Sequence, residues 1–230
     1  MNKLEKKVVL ITGAGKGSGR ILAQAFAERG ATVAANDISP INVEEVVDEI
    51  IAKGGHAKAY IEDVAKKVGA QNIVKQVEDD FGRIDILINH AAVEPHIPLL
   101  DMDEWDWHRV LDVNLTGAFL MTQSVGRVLR AQGSGVIINL IRRTPAKSTQ
   151  DYPGTARQGK RSATLVTGST GDGSSEAAFA ASMNGLDGFT RAAARELNPY
   201  GIHVYGVQSD SEQIIEKVFA LLDLRQMEEG

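Results

Sequence analysis

The chain has 230 residues with a formal net charge of −5, and 43% of them are hydrophobic. This length is enough for one substantial core, so we expect a single domain over residues 1–230. Because the chain contains no cysteine, disulfides and cysteine-ligated metal centres are excluded, which fits a cytoplasmic protein. The acidic balance gives no reason to expect nucleic-acid binding, and no apolar run is long enough to predict a membrane span.

Short β-branched runs alternate along the chain with longer stretches of helical periodicity. The predicted strands are Lys7–Thr12, Thr32–Asn36, Ala57–Ile61, Ile84–Asn89, Gly135–Leu140 and Ile202–Val207. The predicted helices are Ser18–Arg29, Asn42–Ala52, Val68–Phe81, Asp103–Ala131, Glu176–Leu197 and Ser211–Leu224. Nearly continuous apolar strands that alternate with helices predict an α/β fold, a doubly wound parallel sheet of the Rossmann type with helices on both faces.

The turn between the first strand and the first helix is rich in glycine and polar residues, namely Thr12, Gly13, Gly15, Lys16, Gly17, Ser18 and Gly19. Glycines allow the backbone to approach a pyrophosphate, and the helix N-terminus presents free N–H groups to the anion. A glycine cluster alone is also compatible with an ordinary tight turn. Its position after the first strand, with Asp37 after the second, predicts a dinucleotide site.

Asp37 decides which dinucleotide is expected. Its carboxylate would accept hydrogen bonds from the adenosine ribose and repel a 2′-phosphate, which predicts NAD as the cofactor and not NADP. Lys16, a cation in the turn, favours NADP instead. The alternative for Asp37 is a cap for the helix that follows Ser39 and Pro40.

These residues, with several downstream, resemble the short-chain dehydrogenase/reductase family. Thr12–Gly19 matches the family's TGxxxGxG motif, and Asp63 and Val64 look like the pair that contacts adenine. The segment Asn89, His90, Ala91 and Ala92 is similar to the NNAG motif, with histidine and alanine in place of the second asparagine and the glycine. Asn114 matches the helix asparagine that supports the family's proton relay.

The resemblance implies an oxidoreductase that exchanges a hydride with nicotinamide, but the family's catalytic residues are unmatched. The serine position is Arg142, the tyrosine position is Phe179 and the lysine position is Met183. Phenylalanine has no proton to give, and methionine carries no charge that could lower a tyrosine pKa. We therefore expect an NAD(H)-binding relative whose catalysis is impaired.

The connection after the fifth strand, residues 141–175, is long and basic. Between Arg142 and Arg161 its cations are Arg142, Arg143, Lys147, Arg157, Lys160 and Arg161, opposed only by Asp151. They predict either a solvated loop or a receptor for an anionic ligand or partner. Within this loop Tyr152 is a candidate substitute acid with Lys160 as its cation, although their spacing differs from the family motif.

Further features bear on the function. His90 is expected to hold a loop, His96 to lie at the surface, and Trp105, Trp107 and His108 to pack in the core or an interface. No metal-ligand spacing is present. The resemblance places the usual substrate lid and the final strand beyond Val207, where this sequence departs from the family, so we expect both to be missing. It also implies subunit pairing through Asp103–Ala131 and Glu176–Leu197, and thus a homodimer rather than a homotetramer.

Three functions remain open at this stage. The chain is a non-catalytic or impaired NAD(H) binder, an active NAD-dependent oxidoreductase that uses unusual groups such as Tyr152 or a histidine, or a non-enzymatic interaction subunit.

Overall fold

A computed structural model of the protein describes residues 4–142, 176–208 and 213–228. Within these ranges all strands belong to one parallel sheet with the order β3-β2-β1-β4-β5-β6. The strands are β1 (Val8–Thr12), β2 (Thr32–Asp37), β3 (His56–Ile61), β4 (Ile86–Asn89), β5 (Gly135–Ile141) and β6 (Ile202–Gln208). The predicted doubly wound α/β fold is confirmed.

The helices alternate with the strands as the hydrophobic periodicity predicts. They are α1 (Gly17–Glu28), α2 (Pro40–Ala52), α3 (Lys67–Phe81), α4 (Glu104–Leu111), α5 (Gly117–Gln132), α6 (Ala177–Leu197) and α7 (Ile214–Glu228). None of the helices in the described ranges is long and apolar enough to cross a membrane.

Two apolar layers cover the two faces of the sheet. On one face Leu22, Phe26 and Ile50 pack against β1 and β2, and Phe219 of α7 joins them with its ring centroid 4.7 Å from that of Phe26. On the other face Ile73 and Met121, from α3 and α5, pack against the alternate side chains of the strands. Because successive side chains of a strand point to opposite faces, both layers require the uninterrupted apolar strands seen in the sequence.

The starts of the fourth strand and of the second helix differ from the prediction, each for a local reason. The fourth strand begins at Ile86 and not at Ile84, because the backbone of Ile84 exchanges hydrogen bonds with the side chain of Gln132 (3.2 and 2.6 Å). The second helix begins at Pro40, two residues before the predicted start, since proline suits the first helical turn.

The predicted long helix from Asp103 to Ala131 is one helical region with an irregular centre. Between α4 and α5 lies one π-helical stretch, Asp112–Thr116, which carries the buried Asn114. Such a π-turn widens the helix locally and is frequent at functional sites. The pairing of α5 and α6 with a second copy of the chain stays a prediction.

The order of the strands determines where a ligand is expected. Strand β1 lies between β2 and β4, so the chain leaves the carboxyl ends of β1 and β4 toward opposite sides, and a crevice opens between them. Gly13, Asp37 and His90 all follow strands at this edge. The tail of β6 and the start of α7 are separated by five residues, 209–213.

Candidate functional site

The glycine turn after β1 is packed closely on its own backbone. A Cβ atom on Gly19 would lie 2.2 Å from the carbonyl oxygen of Gly13, and one on Gly13 would lie 2.8 Å from Cα of Ala91. A Cβ on Gly15 would lie 2.9 Å from Oδ2 of Asp37. Gly17 differs, because it has a φ of +53° and faces open space. The turn therefore needs glycine both for packing and for its backbone conformation.

Asp37 ties the glycine turn to the end of β2. Its Oδ2 accepts a hydrogen bond from the amide of Gly15 (3.0 Å), and its Oδ1 accepts one from the amide of Ser39 (3.0 Å). A carboxylate has about four acceptor positions, so both oxygens retain acceptor capacity beside these two bonds. Asp37 thus stabilises the turn and can still accept hydroxyl groups.

Thr12 and His90 connect the glycine turn to the end of β4. The Thr12 hydroxyl accepts hydrogen bonds from the amides of His90 (3.1 Å) and Ala91 (3.2 Å). The Nδ1 atom of His90 lies 3.0 Å from the carbonyl oxygen of Gly13. Because a carbonyl oxygen can only accept, Nδ1 carries a proton in this contact.

The burial of His90 predicts a pH dependence of stability. Burial lowers the pKa of His90 below its usual value, and the charge of Arg142 acts in the same direction although the Gly13 contact opposes it. Between the lowered folded pKa and the ordinary pKa near 6.5, the unfolded chain binds more protons than the folded chain. Stability is therefore complete above this window and falls as the pH decreases through it.

We expect thermal unfolding to show this loss as the pH falls from neutral to below the ordinary histidine pKa near 6.5. Asn in place of His90 removes the titration, so His90→Asn should lose less stability over this interval than the unaltered chain. His56→Asn, at an exposed position at the start of β3, is the matched control and should behave like the unaltered chain. Equal pH dependence of stability in all three proteins would show that His90 is not its source.

A cavity of about 400 Å³ opens beside the glycine turn. The ends of β2 and β3 form one wall, and helix α4 with the following π-turn forms the other. The lining includes Gly13, Asp37, Ile38, Asp63, Val64, Ala91, Trp105, His108 and Arg109. The structure therefore brings Asp37, Asp63 and Val64 together around one space, while Lys16 is exposed and does not line it.

Asn114 lies next to this cavity with its side chain fully engaged. Its Oδ1 accepts from the amide of Val93 (2.7 Å), and its Nδ2 donates to the carbonyl of Val93 (3.0 Å) and to Oγ of Ser182 (3.0 Å). Ser182 in turn donates to the carbonyl oxygen of Phe179 (2.7 Å). Asn114 therefore links the loop after β4 to helix α6 and is itself buried.

Arg142, Phe179 and Met183 form one contact cluster. Phe179 and Met183 are 2% and 5% exposed and pack with Ala118 and Leu186. The Arg142 guanidinium lies over the Phe179 ring, 4.9 Å from its centroid, and its Nη1 is 3.4 Å from a carboxylate oxygen of Glu94. The residues predicted to replace the family's serine, tyrosine and lysine are thus an apolar pair, Phe179 and Met183, and a cation that lies over the Phe179 ring.

Below the cleft lies a buried polar chain that the sequence reasoning did not predict. Asn89 donates to Oδ1 of Asn139 (2.8 Å) and to the hydroxyl of Thr122 (3.2 Å), and Asn139 donates to the hydroxyl of Thr190 (2.8 Å). These contacts join β4 and β5 to α5 and α6. An asparagine in the apolar run of β5 was the available signal, because a buried amide needs partners.

Other candidates are less central to this arrangement. His96 is exposed, and no group of metal-ligating side chains occurs in the parts of the chain that the structure describes. Tyr152, Lys160 and the remaining cations of the basic connection lie outside the described residues, as does the region 143–175 as a whole.

Comparison with known proteins agrees with this geometry. The model of the short chain dehydrogenase family matches residues 7–145. An uncharacterized oxidoreductase of Thermotoga maritima is 45% identical over 134 residues, which cover 58% of this chain and 53% of that protein. A 3-oxoacyl-[acyl-carrier-protein] reductase of Synechocystis sp. is 36% identical over 208 residues, covering 90% and 74% of the two chains. The chain thus spans about half the length of the first relative and about three quarters of the second.

Solved structures show the same fold. The NAD⁺-bound xylitol dehydrogenase has a TM-score of 0.75 at 29% identity, with 90% of this chain and 70% of that chain covered. A metagenomic short-chain oxidoreductase in complex with NADP has a TM-score of 0.77 at 27% identity, with 95% and 90% covered. This protein belongs to the short-chain dehydrogenase/reductase family, which is a family of oxidoreductases.

Proposed function

We propose that the protein binds NAD(H) at the glycine turn and does not perform the hydride transfer usual for its family. The observation that carries the proposal is the packing of Arg142, Phe179 and Met183 into one cluster. Beside it, the glycine turn and Asp37 retain a geometry suited to a nucleotide. Binding and catalysis are therefore separable in this chain.

The residues at the crevice suit a dinucleotide. Gly13, Gly15 and Gly19 leave no room for side chains, while Gly17 opens the start of α1 to an approaching anion. No side chain caps the first turn of α1, so its amides are available to a diphosphate. Asp37 would hold the adenosine ribose, and Asp63 and Val64 would contact the base. Relatives in solved structures contain NAD⁺ or NADP, which supports this class of ligand.

Chemistry at the other end of the site is limited by the cluster. Bound NADH would supply a hydride, but reduction of a carbonyl also needs a proton at the substrate oxygen. The Phe179 ring has no exchangeable proton, and the guanidinium of Arg142 stays charged in proteins. Met183 provides no cation to lower the pKa of an acid. His90 is held at Gly13 with Nδ1 as the donor, and Asn114 is bonded to Val93 and Ser182.

The decisive experiment measures binding and turnover on the same preparation. NADH binding is followed by fluorescence and calorimetry. Turnover is tested with a panel that includes a 3-oxoacyl thioester with NADH and xylitol with NAD⁺, both taken from the names of the relatives. We expect saturable NADH binding without turnover. Robust turnover that disappears in Tyr152→Phe would instead favour an active enzyme with an unusual acid, and absence of NADH binding would favour an interaction subunit.

Asp37 is expected to discriminate between the two dinucleotides. A 2′-phosphate placed beside its carboxylate meets a like charge, so NADH should bind at least tenfold more tightly than NADPH, a penalty of about 1.4 kcal/mol or more. Asn in place of Asp37 keeps an acceptor oxygen but removes the charge. The ratio of NADH affinity to NADPH affinity should therefore fall toward one in Asp37→Asn. Asp48→Asn, on the exposed face of α2, is the control and should leave the ratio unchanged. A preference for NADPH in the unaltered chain would contradict the prediction.

A further inference from the structure

Helix α4 presents one face to the cavity beside Asp37. Trp105, His108, Arg109 and Asp112 recur at helical spacing, and all four line this space. They stand opposite Asp63 and Val64 at the end of β3. The outer wall of the cavity is therefore built by α4 and is formed by large side chains.

Trp105 is the most unusual member of this face. Its side chain is 65% exposed although it borders the cavity, and it belongs to none of the apolar clusters of the described residues. Its contact within the helix is with Arg109, whose guanidinium lies 5.4 Å from the ring centroid. Arg109 lines the same cavity, so this contact holds the indole beside it, while most of the Trp105 surface stays exposed. An indole held in this way offers a flat apolar surface to a planar ligand.

The cavity beside Asp37 is large enough for the base of a nucleotide. Its volume of about 400 Å³ is within the range of small-molecule sites, and its lining joins Gly13 and Asp37 to Val64 and Trp105. A nucleotide with its diphosphate at the glycine turn and its ribose at Asp37 would therefore place its base in a space that Val64 and the Trp105 indole both border.

We propose that Trp105 is a binding residue that stacks on the adenine of a bound nucleotide, with Arg109 as the residue that positions the indole. This inference rests on the proposed function and narrows it, because the site then recognises the adenosine diphosphate half of the ligand through α4. Any base can stack on an aromatic side chain, and the free energy of this stacking is large enough to dominate the contact between the base and the protein.

The test uses ADP-ribose, which carries the adenosine diphosphate but no nicotinamide. The chain has two tryptophans, so Trp107→Phe leaves Trp105 as the single indole, and Trp105→Phe leaves Trp107. We expect ADP-ribose to quench the emission of the Trp107→Phe protein and to leave that of the Trp105→Phe protein nearly unchanged. Inorganic pyrophosphate, which has no base, should quench neither.

Affinity provides the second readout. Calorimetry should show a loss of about tenfold in ADP-ribose affinity for Trp105→Ala, and near-normal affinity for Trp105→Phe, which retains a stacking ring. Because the side chain is largely exposed, the alanine variant should fold normally, which circular dichroism checks.

The possible failures are distinguishable. If ADP-ribose binds and either the Trp105 emission or the affinity of Trp105→Ala stays unchanged, the inference is wrong while the proposed function stands. Binding of NADH without binding of ADP-ribose would likewise show that this inference is wrong while the proposed function stands. If neither ligand binds, the proposed function and this inference are both overturned.

Discussion

Alanine in place of Gly19 is expected to abolish NADH binding, with a loss of affinity of about a hundredfold or more. The added methyl group would lie 2.2 Å from the carbonyl oxygen of Gly13, so backbone has to move. Gly13 cannot yield easily, because it is packed against Ala91 and bonded to the ring of His90. The displaced turn would no longer present its amides to a diphosphate. Fluorescence titration with NADH measures the effect.

Gly188→Ala is the matched control for this substitution. Gly188 lies in the middle of α6, and a Cβ atom there meets nothing within 4 Å. Alanine at an exposed helical glycine is expected to raise the free energy of unfolding by about 0.5–1 kcal/mol and to leave NADH binding unaltered. Undiminished NADH binding by Gly19→Ala would show that the glycine turn is not where the ligand lies.

Restoring the family's catalytic residues is expected to destabilise the protein and to restore little activity. In the combined Arg142→Ser, Phe179→Tyr and Met183→Lys variant, the lysine would replace a side chain that is 5% exposed in an apolar cluster. A charge buried without a partner is costly, and such substitutions reduce the free energy of unfolding by about 3–5 kcal/mol. The tyrosine adds a hydroxyl at a position that is 2% exposed. Chemical denaturation measures the change in stability, and the turnover panel described above measures the activity.

Two single variants identify the source of the instability. Met183→Leu keeps an apolar side chain of similar volume and should cost less than about 1.5 kcal/mol. Asn184→Lys adds the same charge at the next residue, whose side chain is exposed, and should leave stability nearly unchanged. A triple variant that is as stable as the unaltered chain and reduces a carbonyl would show that the scaffold is catalytically intact.

The local features of the sequence were sufficient to predict the helices, the strands and the glycine turn. Apolar strand runs, helical periodicity and the glycines at 13, 17 and 19 act within a few residues of each other, so their physical consequences can be predicted without knowledge of distant contacts. The parallel sheet followed from the same alternation. The fourth strand was predicted to start at Ile84 and does not, because the backbone of Ile84 forms hydrogen bonds with Gln132, a residue far along the chain.

What only the tertiary structure decided is how the unmatched positions interact. The sequence by itself determined that Arg142, Phe179 and Met183 carry no hydroxyl and no lysine amine, because side-chain chemistry is a property of each residue alone. That they stand at the family's catalytic positions is a prediction. Their union in one cluster, with the guanidinium over the ring, depends on β5 and α6 being brought together by the fold. The position of Trp105 on the cavity, opposite Asp63, has the same origin. Contacts between residues distant in sequence arise from packing, and packing is decided by the whole chain.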